Sequence, residues 1–224
     1  MWNSLSPALS FDPSSETPLP FPAAGAEAST ASAYDARALI AAAQAGDGEA
    51  FGRLIGLHQS MVVRLARGLA WRPEDAADLA QETFTRIYVA LPRFRFECAF
   101  STWVYRIATN VGLDYIRRQR ARRWLWHSNA VDGGAGFDAV DRRAGTNPER
   151  QALSAEIARR VRRALGKLPA RQRLAFELRH YQGLRLGTIA EVLETSEEVA
   201  KNALFRATRK LRAELGDLLE GGAR

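Results

Sequence analysis

Apolar residues recur at steps of three and four through two long stretches of the chain, and this spacing predicts helices in both. In the first stretch Ala80, Phe84, Ile87 and Leu91 form one stripe. Val104, Ile107, Ala108, Val111 and Tyr115 form another, within a helix predicted over 100–123 that Ser101 or Thr102 can cap. In the second stretch a helix over 154–168 breaks at Pro169, another over 170–182 stops at Gly183, and a short one covers 186–193. The turn Glu194-Thr195-Ser196 then leads into a helix over 197–215, with Ser196 as its cap and Ala200, Ala203, Leu204, Ala207 and Leu211 facing inward. No period-two alternation is long enough for a useful strand. The expected fold class is all-α, in two small helical domains.

The breaks in periodicity set the boundaries. Residues 1–33 are rich in Pro, Ser and Ala without apolar spacing, and are expected to be a disordered N-terminal extension. The first domain then covers 34–123. Gly pairs, Asn, Asp and a Pro mark 124–150 as a flexible linker. The second domain covers 151–216, and 217–224 form a tail.

Composition narrows the setting. The longest apolar runs fall far short of a membrane span, and Lys and Arg are missing before Arg37, where a secretory signal or transit peptide would carry them. The single cysteine, Cys98, excludes an internal disulfide framework. These features predict a cytoplasmic protein. The formal charge of +7 is unevenly distributed. Residues 34–123 hold 14 Lys/Arg against 9 Asp/Glu, a net of +5, and residues 154–215 hold 14 against 7, a net of +7. Two basic blocks on one chain fit contact with nucleic acid at two places, or simply keep two domains soluble.

Against that background DLAQETF, 78–84, is an acidic exception. At 100° per residue Asp78, Gln81, Glu82 and Thr85 share the side of their helix opposite the apolar stripe. That side is either a solvated polar face or a docking face for protein. Downstream, RFRFECAF sets Phe94, Phe96 and Phe100 among arginines on a loop after Pro92, and 117–123 holds five arginines in seven positions. Arginines bind phosphate and aromatic faces receive unstacked bases, an arrangement suited to separated strands; many of the aromatics, Trp103 among them, also suit a core. In the second domain two short helices about a tight turn have the geometry that enters a major groove. Glu198, Asn202, Phe205 and Arg209 face outward on the second of them, flanked by Lys201, Arg206 and Arg212. Asn and Arg can read base edges, and Lys and Arg hold phosphates.

In their order, these motifs resemble the bacterial RNA polymerase sigma factors of the extracytoplasmic-function (ECF) type. DLAQETFTRIYVAL resembles region 2.2, FRFECAFSTWVYRIATNVGLDYIRRQRAR resembles regions 2.3 and 2.4, and LPARQRLAFELRHYQGLRLGTIAEVLETSEEVAKNALFRATRKLRAEL resembles region 4. The resemblance implies that Asp78, Gln81 and Glu82, with Thr83 and Arg86 at the margin, dock on the clamp helices of the largest polymerase subunit. It places Phe96, Trp103, Arg106, Asn110 and Asp114 where the minus-ten element is opened and read by flipping a base. Arg117, Arg118 and Arg120 would hold upstream phosphates. Glu198, Lys201, Asn202, Phe205, Arg206 and Arg209 would meet the minus-thirty-five element, with region 4 also touching the flap of the second-largest subunit. The implied partners are core RNA polymerase, promoter DNA and an anti-sigma factor. The chain departs from the family at Phe96, where Gly is common, at Cys98, where a small polar residue is common, and at Glu198. So near DNA, Glu198 would either repel phosphate or accept from a cytosine amino group.

Two other classes compete. A stand-alone helix-turn-helix regulator would use the second domain but has no need of the DLAQETF face or the aromatic loop. A nucleic-acid enzyme would need clustered acids or histidines; His58, His127 and His180 are isolated, and Asp78 and Glu82 have an i,i+4 spacing that could in principle hold a metal. The expectation is therefore no catalytic residue, no metal, no cofactor and no small-molecule substrate.

Overall fold

The computed structural model describes residues 30–129 and 148–220. Four helices carry the first half: α1 Thr30–Gln44, α2 Gly48–Leu69, α3 Pro73–Ala90 and α4 Phe100–Asn129. Four more carry the second: α5 Pro148–Lys167, α6 Ala170–His180, α7 Leu186–Val192 and α8 Glu197–Glu220. Among the described residues there is no strand.

Local chemistry accounts for the joints. Asp47 caps α2, its Oδ1 accepting from the Glu49 and Ala50 amides at 2.9 and 3.1 Å. Pro73 opens α3 with Glu74 and Asp75 in the first turn, where the helix dipole favours acids. Gly183, at φ +70°, closes the end of α6 while the Leu184 amide donates back to Leu178 O at 3.0 Å. The expected turn at 194–196 is present: Glu194 takes φ +49°, and Ser196 Oγ accepts from the Val199 amide at 3.3 Å.

The helical domains begin and end differently from expectation. Helix α1 starts at Thr30, within the expected extension, and residues 1–29 lie outside the described residues. Helix α4 runs through WLWHSN to Asn129, and α5 starts at Pro148, so both reach into the expected linker; 130–147 also lie outside the described residues. Nothing in WLWHSN breaks a helix, and the glycine pair follows only at Gly133. Helix α8 likewise enters the expected tail, and 221–224 are not described.

Among the described residues, three apolar clusters hold the helices together. Ile40, Leu54, Leu91 and Phe94 join α1 to α2 and to the loop before α4. Ala164, Leu165, Leu168, Phe176, Leu204, Ala207, Leu211 and Leu215 join α5, α6 and α8. The largest cluster crosses between the two halves: Leu65, Leu69, Ile87, Val104 and Val111 share it with Leu174, Leu178, Ile189, Val192 and Ala200. The two domains are packed on each other.

Candidate nucleic-acid interface

On α3 the expected polar face is present. Asp78, Gln81, Thr85 and Arg86 are exposed and Glu82 is half-buried. Thr83 is a correction: only 2% exposed, it donates its hydroxyl to Leu79 O at 2.7 Å. It sits four residues after Leu79 and four before Ile87, on the inner face, where it lines a void of about 10 Å³. No docking partner can reach it there.

Ion pairs connect this face to α4. Arg86 meets Glu82 at 2.6 Å and Asp114 at 3.5 Å, Arg118 meets Glu82 at 3.7 Å, and Arg117 meets Asp114 at 4.0 Å. All five side chains keep more than a third of their surface in solvent, so each pair contributes at most about 1 kcal/mol and is weakened by salt. The acidic and basic surfaces therefore meet along one seam, Asp114 neutralised beside the arginines expected to hold phosphate.

The aromatic loop is largely committed to packing. Phe94 is buried and lies 5.0 Å from Phe96, 5.4 Å from Phe100 and 5.0 Å from Trp103. Gln44 Nε2 pins the loop from α1 by donating to Leu91 O and Phe94 O at 3.0 and 2.8 Å. Phe96 adopts φ +60°, a left-handed conformation that costs a non-glycine residue roughly 1–2 kcal/mol. The Arg37 guanidinium lies 4.9 Å over its ring. This is the position at which the resemblance pointed to glycine, and the backbone here has the geometry glycine favours.

Along α4, Asn110 is exposed while Trp103, Arg106 and Asp114 are half-buried. Arg106 Nε donates to Glu191 O in the last turn of α7 at 3.0 Å. Arg120 Nη2 donates to Leu168 O at 3.0 Å and Lys167 O at 3.3 Å, at the end of α5. Two side chains expected on DNA are thus held by carbonyls of the other domain. On α8, by contrast, Glu198, Lys201, Asn202, Arg206 and Arg209 are exposed, and Phe205 is 49% exposed.

Sequence reasoning missed the residues between the domains. Arg173, 4% exposed, donates through Nη2 to Leu69 O at 2.8 Å and Gly68 O at 3.1 Å, its guanidinium 4.7 Å over the Trp71 ring. Glu177 is 3% exposed, and burial pushes its carboxyl up to about 7. Arg64 Nε donates to Gln182 Oε1 at 3.0 Å. A Cβ at Gly68 would collide with the Glu177 carboxylate, and one at Gly166 with the Trp71 indole. The available signal was Gly68, inside a helical run with no local turn to require it. His180 is half-buried, its ring 4.4 Å from that of Phe176, and desolvation lowers it to about 4. Among the described residues no three His, Cys, Asp or Glu gather closely enough to hold a metal.

Comparison with known proteins gives these surfaces a context. The family model for Sigma-70 region 2 matches residues 54–122, and that for Sigma-70, region 4 matches residues 158–211. The ECF RNA polymerase sigma factor SigW of Bacillus subtilis is 31% identical over 173 residues, spanning 77% of this chain and 92% of that protein. The ECF RNA polymerase sigma-E factor of Haemophilus influenzae is 31% identical over 184 residues, 82% of this chain and 96% of that protein. CnrH, solved in complex with the cytosolic domain of CnrY, is similar at 28% identity with a TM-score of 0.58, covering 81% of this chain and 97% of that one. The sigma factor RpoE of Bartonella quintana, solved with the anti-sigma factor NepR, shares the fold at 19% identity and a TM-score of 0.54, covering 74% and 96%.

Proposed function

The chain belongs to the ECF sigma factors of bacterial RNA polymerase, and on that premise we propose how its surfaces divide promoter recognition and transcription initiation. The α3 face of Asp78, Gln81, Glu82 and Arg86 docks on core RNA polymerase. Asn110 and Arg106 on α4, with Phe96 and Trp103, open and read the minus-ten element. Arg117, Arg118 and Arg120 hold the adjoining phosphates. The outer face of α8 reads the minus-thirty-five element with Lys201, Asn202, Phe205, Arg206 and Arg209. The first helical half is thus the region 2 domain and the second the region 4 domain.

The observation that carries this reading is the contrast in character between exposed helix faces. An acid-bearing face on α3 suits a protein partner, and a basic face with an exposed ring on α8 suits a major groove. The protein acts as a specificity subunit with no catalytic site of its own, and it works in the cytoplasm where the polymerase is. No helix of the described residues is long and apolar enough to cross a membrane. An anti-sigma factor is the third partner, in keeping with the complexes formed by CnrH and RpoE.

Run-off transcription with purified core polymerase tests the assignment. Asp78→Lys, which disturbs no ion pair described above, should weaken capture of core polymerase at least about tenfold by reversing a charge at the interface. Undiminished capture would remove α3 from the docking role.

A further inference from the structure

Helix α1 holds the aromatic loop with one of its faces. Arg37, Ile40 and Gln44 follow at steps of three and four, so their side chains share a stripe. Ile40 is buried in the cluster with Leu54, Leu91 and Phe94, and Gln44 Nε2 donates to Leu91 O and Phe94 O at 3.0 and 2.8 Å. The same stripe sets the Arg37 guanidinium 4.9 Å over the Phe96 ring. Phe94 adjoins that ring, its centroid 5.0 Å away and its plane tilted by 52°. Arg37 is exposed and Phe96 half-buried.

The loop does not need Phe96 to keep its shape. Its backbone is pinned through Leu91 and Phe94, and at position 96 it takes a left-handed conformation that glycine would adopt without strain. What the side chain adds is a ring at the edge of the cluster that carries a cation on its face. A guanidinium lying over a ring still has its second plane to offer, and such planes stack unpaired bases as aromatic faces do. Arg93 and Arg95, both exposed, supply the loop with charge for phosphates, against the single acid Glu97.

We propose that Arg37, backed by the Phe96 ring, is a stacking platform for one unpaired base of the opened promoter strand. This rests on the reading that α4 faces the promoter. Asn110 lies about 15 Å along α4 from Phe100, so the platform takes a different base from the one read at Asn110. Arg117, Arg118 and Arg120 lie further along α4, beyond Asn110. The stacked base therefore falls on the far side of the Asn110 base from the upstream duplex. Every base has a face to stack, so the platform favours a separated strand without dictating its sequence. It acts through the plane of the guanidinium, which a lysine cannot supply.

The test uses the full chain bound to core polymerase and a forked promoter whose unpaired strand carries an abasic residue at each position in turn. At one position downstream of that read by Asn110, loss of the base should cost the wild type at least about fivefold in affinity. Arg37→Ala should lose a similar factor on the intact fork and become indifferent to that abasic residue, a coupling that a double-mutant cycle measures. Arg37→Lys keeps the charge, and with it the slope of log affinity against log salt, yet should share the indifference. Phe96→Gly removes the ring where the backbone suits glycine, and should do the same with its helicity intact by circular dichroism. Equal abasic penalties in the wild type and Arg37→Ala at every position overturn the platform. So does full rescue by Arg37→Lys, which would make Arg37 a phosphate contact. Failure of the underlying reading is distinct: Asn110→Ala would then leave promoter opening by the holoenzyme unchanged, as read by permanganate reactivity of promoter thymines.

Discussion

Helices α4 and α8 both carry rows of arginine, yet they present them differently. On α8 the row faces outward along its whole assigned face, from Lys201 to Arg209. On α4 it is engaged within the chain: Arg106 and Arg120 by helix ends, Arg117 and Arg118 by Asp114 and Glu82. The same residue type thus stands ready on one helix and is held back on the other. Charge tells where polyanions can bind, but the partners of each charge tell when.

The comparison can be broken most forcefully through the shared core. Leu178, fully buried in the cluster that spans both domains, should lose about 3 kcal/mol of stability on replacement by Ala. All five tryptophans precede the region 4 domain, and Trp71 lies against Arg173 and Gly166, so their fluorescence follows the first half of the molecule and its joint with the second. Leu178→Ala should lower the urea midpoint seen by tryptophan as well as by circular dichroism. Leu211→Ala, inside the cluster of α5, α6 and α8, should lower mainly the latter.

A sharper version sets two arginines side by side. Arg209→Ala should weaken duplex binding by the free chain and reduce the slope of log affinity against log salt by about 1. Arg106→Ala should weaken duplex binding by the free chain less than Arg209→Ala does, because the Arg106 guanidinium is engaged by Glu191 O.

The smallest effect is in pH. Glu177 has its carboxyl raised from 4.5 to about 7 by burial, against the partly opposing Gln182, Arg173 and Arg64, with the Tyr105 and Tyr181 hydroxyls nearby. A raised carboxyl binds its proton more tightly in the packed state. Its contribution is therefore fully present below pH 4.5 and lost as pH rises toward 7. Glu177→Gln should flatten the fall in stability across that window, as measured by thermal melts at stepped pH.

Much of the architecture was legible in the order of residues. Step-three and step-four spacing located the helices, Pro169 and Gly183 their ends, and Ser196 the start of α8. Thr83 was misjudged because the resemblance set it at the margin of the docking face; its i±4 neighbours, Leu79 and Ile87, were the better guide. The contact between domains was not legible. Residues such as Ile107, Leu174 and Ile189 serve a local core and a joint between cores with the same apolar chemistry. Arg173 and Glu177 carry charges whose burial their sequence neighbours do not announce, and the glycine-rich stretch near 133 says nothing of whether the domains it joins are packed.

Gly68 and Gly166 also make a diagnostic for other chains of this kind. A relative with bulky side chains at both places cannot bring its halves together in this manner. Those retaining the two small residues keep room for the Glu177 carboxyl and the Trp71 indole at the joint.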